Sequence, residues 1–455
     1  MGVDDTRWFV LRDAVWGDVW LTRAEGRLLD SREMQRLRGV RQLGLAHLVY
    51  PGARHSRFEH SVGTLHMAQT LVDAVARNAD RFPSECVSVS ADETRVLRAA
   101  ALVHDVTHVP YGHNIEDQCG MLPRHDTPER FLRMFGEDSE LGGELRRQGL
   151  LDRVLCVLGA VEGGEPPFLR QMISDTICSD LMDYLARDAR FTGMKLGYDA
   201  RIADYFRIDA DSRRLYVDCA KEGLVREDVV SEVLRMLQAR YYFSERVYYH
   251  HAKIAAGAMI ARAVETSLAR EWLTPDELYG QTDEGLLATL TARTSGLDDA
   301  DARVCAGLVD RLARRRLYKR VAVFPYAGNR EVQEDLVARF FDPQAATARR
   351  NWEQEREAEV REHFGIDVQV LFYCPSRRMQ LKEVDTLVRF PGERDLQPLS
   401  SFRDRLPRIA DLEESYLRLW KAYVLTSTAD RDVRAFLQER VRAALPTAND
   451  AYSLT

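Results

Sequence analysis

Apolar residues recur at three- and four-residue spacing over 31–45, 60–79, 94–105, 127–136, 145–160, 168–190, 228–241 and 245–270, the period of amphipathic helices. Ahead of them, residues 8–21 (WFVLRDAVWGDVWL) are rich in β-branched and aromatic side chains around a Gly-Asp turn and predict a short hairpin. Pro and Gly punctuate the helical segments, as in Tyr50-Pro51-Gly52 and Pro110-Tyr111-Gly112. Beyond about residue 290 the pattern changes to alternating runs, Arg320–Phe324 and Val368–Phe372, between highly charged stretches, and a last amphipathic helix is predicted over roughly 413–443. The expectation is a mainly α fold: residues 1–290 as a helical core with an N-terminal hairpin, and residues 291–455 as a smaller α+β region serving oligomerisation or regulation. No internal repeat, Gly/Ser linker or low-complexity tract interrupts the chain.

Composition narrows the class. With 455 residues, 45% hydrophobic and 30% charged, the chain is globular and long enough for a sizeable core. No charge-free apolar run approaches the ~18 residues of a membrane span, and MGVDDTRWF lacks the order of a signal peptide. Met1–Thr6 formally matches an N-myristoylation pattern, but its acidic residues and the lack of a polybasic partner argue against that use. Seven dispersed cysteines without Cys-x-x-Cys disfavour a disulfide framework or thiolate zinc site and suit the cytoplasm. A net charge of −7 gives no basic footprint for membrane or nucleic acid, so an anionic ligand needs a local patch. Residues 31–60 hold one: six arginines against two glutamates. Arg57 is placed to grip phosphate, whereas Arg32 and Arg36 read better as a solvated helix face.

The chemistry concentrates in histidine, with 8 of the 11 lying between His47 and His125. An apolar run ending at Val103 carries His104 and Asp105 into the core, where an ionised Asp needs compensation and a divalent metal supplies it. His108 lies one turn on. His60, after Arg57-Phe58-Glu59, and Asp180, which shares a helical stripe with Tyr184 and Asp188, complete a two-imidazole, two-carboxylate set. Such donors suit Mn, Fe, Ni or Zn, with Mg a poorer match. A His-Asp dipeptide alone is weak, since a second occurs at His125-Asp126; the conjunction of spaced ligands and the preceding apolar helix carries the reading.

At these residues the sequence resembles the HD-domain deoxynucleoside triphosphate triphosphohydrolases, in the branch of the vertebrate SAM-and-HD-domain enzyme and its bacterial relatives. The resemblance runs through 12–18 (RDAVWGD), 34–44 (MQRLRGVRQLG), 50–63 (YPGARHSRFEHSVG), His104–His113, Asp180–Asp188, 247–251 (VYYHH) and 315–321 (RRLYKRV), covering roughly 8–325. It implies a helical HD-domain metal phosphohydrolase core, with the metal on His60, His104, Asp105 and Asp180. It further implies that Arg57 contacts the triphosphate, Gln42 and Leu43 lie against sugar or base, Tyr184 and Asp188 read the sugar edge, and His108, His113 and His125 serve acid–base or water-orienting roles; His47, His55 and His66 then remain as structural bystanders. The implied reaction is water attack on the α-phosphorus, releasing deoxynucleoside and tripolyphosphate. Asp30, Gln35 and Arg38 match positions that bind a guanine nucleotide activator between subunits in that family, although a lysine accompanying them there is Phe9 here. A homo-oligomer, dimer or tetramer, is the corresponding expectation.

Three departures stand out: Leu181 replaces a lysine that follows the metal aspartate, Thr107 replaces a glycine, and Trp16 replaces a histidine of the hairpin. Leu181 keeps open another phosphoester substrate, such as a 5′-nucleotide, a cyclic dinucleotide or single-stranded nucleic acid. A catalytically silent nucleotide-sensing oligomer is the remaining alternative, which the intact ligand set disfavours.

Overall fold

The computed structural model describes residues 8–116, 121–195, 197–376, 379–393 and 395–454; the Met1–Thr6 motif lies outside them. The chain opens with an antiparallel hairpin, β1 (Trp8–Asp13) and β2 (Gly17–Thr22), in which Asp13 pairs with Gly17 across the turn. Phe9, Leu11, Val19 and Leu21 of this hairpin belong to or pack on the main hydrophobic core, while Trp8, Val10 and Trp20 face solvent.

Three helices then build the centre of the molecule. Ser56 caps helix α1 (Arg57–Arg81) through a reciprocal box: its side chain accepts from the Glu59 amide and Glu59 accepts from the Ser56 amide. This box fixes the start of the helix and so places His60 in its first turn. Ser90 and Glu93 cap α2 (Ala91–Val103) in the same way, and the buried run Val96–Val103 delivers His104 and Asp105 to the interior at its end. Helix α3 (Ser179–Thr192) starts one residue before Asp180 and stops at Gly193 in the left-handed region. It lies against α1 at Gly63, where a Cβ would stand 1.9 Å from Asp183 Oδ1 and 2.3 Å from Arg187 Nη2. Only glycine lets these two helices approach so closely.

Helical periodicity overstates continuity in several places. The 31–45 segment is a helix only over Arg32–Arg36, followed by tight turns at Leu37–Gly39 and Gly44–Leu48. The 145–160 segment divides into Glu140–Arg147 and Leu151–Val157, and 168–190 into Pro167–Ser174 and α3. The predicted 413–443 helix is in fact Pro407–Leu417, a strand Lys421–Thr426, and Arg431–Ala444. That strand is the centre of a three-stranded sheet, between Lys319–Pro325 and Val370–Tyr373, and is buried along nearly its whole length. Its sequence KAYVLT has the β-branched and aromatic content a central strand needs, and pairing on both edges overrides the helical spacing around it.

A small sheet also interrupts the helical half. Phe206–Ile208 and Leu215–Asp218 pair antiparallel, and Leu215–Asp218 pairs parallel with Leu387–Arg389 from the far end of the sequence. The main buried core draws on residues from Val19 to Leu445, and a second cluster gathers around Tyr111, Ile260 and Leu308. The fold is mainly α, with a short N-terminal hairpin and small sheets that include the C-terminal strands.

The crowding at Gly63 generates a stability prediction. Gly63→Ala forces α1 and α3 apart and is expected to cost about 1–3 kcal/mol, as overpacked interiors do, read as a lower urea midpoint at unchanged slope. A wild-type midpoint would mean the two helices yield freely there.

Candidate metal centre

Three separate elements converge on one point. The first turn of α1 supplies His60, the end of α2 supplies His104 and Asp105, and the first turn of α3 supplies Asp180. His60 Nε2 is 2.9 Å from Asp180 Oδ1 and 3.7 Å from Asp105 Oδ2; His104 Nε2 is 3.7 Å from Asp180 Oδ1 and from Asp105 Oδ1. His60, His104 and Asp180 offer ligand atoms close enough together to share one ion. Both imidazoles are anchored from behind: His60 Nδ1 meets Asp183 Oδ2 at 2.7 Å, and His104 Nδ1 meets the Ala101 carbonyl at 2.8 Å. Each therefore turns Nε2 inward toward the carboxylates, and neither of these two buried nitrogens meets hydrogen-bond geometry there. Orphaned imidazole nitrogens facing two carboxylates fit a divalent cation with mixed nitrogen and oxygen ligation.

The electrostatics agree. Burial raises the cost of ionising Asp105, yet Arg57, His108 and His104 hold its carboxyl well below the usual range. At Asp180, about a third exposed, burial likewise opposes ionisation and the adjacent His104 and His60 imidazoles outweigh it. Burial also works against charge on His60, but the carboxylates of Asp180 and Asp183 beside it raise its pKa to about 10. Without a cation, the carboxylates favour a proton on His60, and a divalent ion would take that proton's place.

A second histidine group adjoins the first through Asp105. His108 Nε2 is 3.2 Å from Asp105 Oδ1, and His108 stacks on His125 with centroids 3.8 Å apart. His108, His113 and His125 also lie within sharing distance of one ion. Burial, Arg57 and His125 press the His108 pKa well below the usual imidazole value. His125 Nδ1 meets Glu116 Oε2 at 3.1 Å, and Arg130 Nη1 donates to Glu116 Oε1 at 2.6 Å. Burial disfavours charge on Glu116, but His108, His125 and Arg130 keep its carboxyl well below the ordinary value. Thr107 has a part here: its hydroxyl donates to the His125 carbonyl at 2.6 Å, and its own carbonyl accepts from Arg130. Gly112, at φ +44°, leaves room for Arg57, since a Cβ would stand 2.9 Å from Arg57 Nη2.

Arg57 is 2% exposed and donates to Asp105 Oδ2 at 2.5 Å. Gln42 and Leu43 sit on the neighbouring segment, tied by the Gln42 amide to the His55 carbonyl; Gln42 Oε1 is buried without a partner. Tyr184 lies beside His60, with ring centroids 6.5 Å apart, and its hydroxyl accepts from Arg240. Asp188 is buried, held by His55 Nε2 at 2.8 Å and by the Tyr248 hydroxyl, which donates at 2.7 Å. Leu181 is 2% exposed. Asp30 and Arg38 are at the surface; Arg38 donates to Gln35 Oε1 and stacks over Phe58, while Gln35 donates to the Leu29 carbonyl.

Some of these contacts escaped the sequence reading. Arg36 is not a solvated helix residue: its guanidinium points inward and donates to the carbonyls of Val106, His108 and Gln281, bracing the turn that carries His108. His55 has a defined structural part, holding Asp188 through Nε2. Asp183 and Arg187 were missed although their four-residue spacing on a helix is an ion-pair signal. Glu116 carried no local signal beyond its place three residues after His113. A cavity opens along the middle of α1, lined by Trp8, Trp20, Leu65, Gln69 and Arg98, and none of the metal-centre residues lines it.

Comparison with known proteins places this geometry. Residues 57–188 match the HD domain and residues 215–441 the HD associated region. An uncharacterized protein of Methanocaldococcus jannaschii is 27% identical over 417 residues, covering 90% of this chain and 77% of that protein. The human deoxynucleoside triphosphate triphosphohydrolase SAMHD1 is 26% identical over 305 residues, covering 61% of this chain and 46% of the human protein, so the match spans less than half of that enzyme. A phosphohydrolase crystal structure from Bacteroides thetaiotaomicron superposes with a TM-score of 0.67 at 19% identity, covering 92% of this chain and 99% of that one. A hypothetical protein from Aquifex aeolicus gives 0.66 at 21%, covering 96% and 100%. These two likenesses establish the fold.

Metal binding is directly measurable. Mn²⁺ at about a hundredfold its dissociation constant should stabilise the folded chain by roughly 2.7 kcal/mol, raising the melting temperature, and chelator should reverse the gain. Asp180→Ala should abolish the Mn²⁺-dependent increment; an equal increment in that variant would remove Asp180 from the ligand set.

Proposed function

This chain belongs to the HD-domain phosphohydrolase family, its HD core followed by the HD-associated region, and from that premise we propose that it cleaves deoxynucleoside triphosphates to deoxynucleoside and tripolyphosphate. The observation that carries the reading is Asp105, which joins the His60–His104–Asp180 ligand set to Arg57 on one side and to the His108–His125–Glu116 group on the other. A cation site, a phosphate-gripping arginine and an acid–base group thus share one carboxylate.

His60, His104, Asp105 and Asp180 would hold the divalent ion, and their imidazoles favour Fe, Mn, Ni or Zn over Mg. When bound, the ion supplies Lewis-acid polarisation of a phosphoryl oxygen and of water. Arg57 neutralises charge on the phosphate chain, exchanging part of its bond to Asp105 for phosphoryl oxygens. Water adds to the α-phosphorus as the bond to the 5′-oxygen breaks. His125, oriented by Glu116, donates the proton that the leaving 5′-oxygen needs; His113, at the exposed edge, orients water, and His108 supports both. Gln42 and Leu43 face sugar and base, and Tyr184 with Asp188 reads the sugar edge. Close contact at C2′ then rejects a ribose hydroxyl.

Leu181 favours a second reading. An apolar side chain after the metal aspartate removes one cation from the family's triphosphate grip, which suits a substrate with fewer phosphates. Asp30, Gln35 and Arg38 form the proposed activator site, and a homo-oligomer is the proposed assembly. Among the described residues no helix is long and apolar enough to cross a membrane; a cytoplasmic location is part of the proposal.

Incubation with each dNTP, each rNTP and a single-stranded oligonucleotide in Mn²⁺, Fe²⁺ or Mg²⁺ should yield deoxynucleoside plus tripolyphosphate from dNTPs alone. Arg57→Ala should lower that rate by about 10²–10³. Orthophosphate, pyrophosphate or shortened oligonucleotide as product would replace the dNTP reading with the phosphoester one. For the activator site, light scattering should show a larger assembly on adding dGTP, lost in Arg38→Ala; unchanged mass with every nucleotide would eliminate it.

A further inference from the structure

Of the three departures from the family pattern, Trp16 is the one the proposed reaction leaves without a task. It sits at the tip of the hairpin, far from α3 in sequence, yet its indole Nε1 donates to Asp183 Oδ1 at 2.5 Å. Asp183 is fully buried and is the same carboxylate whose other oxygen holds His60 Nδ1. The hairpin tip therefore touches the group that aims a metal ligand.

The tip is itself held firmly. Asp13 Oδ1 accepts the backbone amides of Val15 and Trp16 at 2.8 and 2.9 Å, closing the turn, and Asp13 Oδ2 accepts from Arg187 Nη1 at 2.9 Å. Arg187 clasps Asp183 through Nε and Nη2, at 2.8 and 2.9 Å. Trp16 also stacks on His66 of α1, with centroids 5.5 Å apart and rings 24° from parallel. Asp183 thus receives His60, both Arg187 nitrogens and Trp16, while Arg187 is anchored by Asp13. Four donors on two oxygens leave the carboxylate one orientation, and Gly63 supplies the space in which it fits.

We propose that Trp16, with Asp13, is a positioning residue of the metal centre: the hairpin tip locks Asp183, and Asp183 locks the His60 imidazole with Nε2 toward the cation. The physical warrant is that the partner of a ligating histidine's other nitrogen fixes its tautomer, its ring orientation and its donor strength. Losing Trp16 frees one Asp183 oxygen to turn toward Arg187, and the His60 ring gains freedom that metal binding must remove. The hairpin therefore contributes to cation affinity without touching the cation. This inference rests on the metal-centre reading and is independent of which phosphoester is cleaved.

The test uses the full-length chain and Mn²⁺ alone. Trp16→Phe keeps a ring to stack on His66 and deletes the N–H; it should weaken Mn²⁺ binding about tenfold, with faster release to excess chelator and a nearly unchanged melting temperature of the metal-free protein. In an Asp183→Asn background, which is itself weakened, the same Trp16→Phe change should have no further effect. Asp13→Asn retains the turn-closing oxygen while loosening the hold on Arg187, and should shift Mn²⁺ affinity in the same direction, so a poorly folded Trp16→Phe protein still leaves a decisive measurement. Wild-type affinity in both Trp16→Phe and Asp13→Asn overturns the proposal, as does an equal loss with and without Asp183. A wild-type chain that binds no Mn²⁺ at all overturns the metal centre and this inference together, whereas normal Mn²⁺ binding without dNTP cleavage sinks only the substrate assignment.

Discussion

Asp105 and Asp183 are ionised carboxylates inside the protein, with Asp180 at the edge beside them. An uncompensated charge at such depth is prohibitive, so each must be surrounded by donors or cations. Much of the centre of the molecule follows from that requirement. Arg57, His108 and His104 face Asp105; Arg187, His60 and Trp16 face Asp183; His60 and His104 face Asp180. The Nε2 atoms of His60 and His104 are buried without a partner in hydrogen-bond geometry, and they point to where positive charge is still wanted.

This arrangement divides labour among neighbouring residues of the same helix. On α3, Asp180 faces the ligand nitrogens, while Asp183 and Arg187, one and two turns later, face the back of His60 and the hairpin. Asp188 on the same helix belongs to another set, with His55 and Tyr248. One helix therefore carries the candidate ligand Asp180, the Asp183 that holds His60, and a third, buried carboxylate at Asp188. The turn carrying His108 is braced from outside by Arg36 and Arg130, whose guanidiniums satisfy the carbonyls of Val106, Thr107 and His108. Asp283 extends the bracing: it accepts the Tyr111 amide and the Arg41 backbone and side chain, tying the Gln42 segment to the histidine loop.

The departures from the family pattern acquire physical meaning in this frame. Thr107 uses its hydroxyl to secure the His125 segment, a bond that glycine in its place lacks. Trp16 reaches Asp183 with an indole N–H and covers His66 with its ring. Leu181 is buried and apolar, so the cation in contact with the ligand set is Arg57 rather than a lysine next to Asp180.

The sequence by itself determined the mainly helical class, the N-terminal hairpin and the chemistry-bearing residues. The apolar run before His104, the spaced histidines and the helical stripe of Asp180 let His60, His104, Asp105 and Asp180 be named from spacing and residue type, and the Ser56 and Ser90 caps then hold the helices that carry the first three. These signals are local, acting over three or four residues. The supporting contacts are different in kind: His60 meets Asp183 across 123 positions, and Trp16 meets Asp183 across 167. No periodicity encodes such a distance, and a Trp, a Glu or an Arg looks the same in sequence whether it faces solvent or a metal ligand. The same limit explains the strand Lys421–Thr426 read as helix, because its partners come from 319–325 and 370–373. Tertiary structure alone decided which charges are buried together, since that depends on which surfaces meet once α1, α2 and α3 have closed on one another.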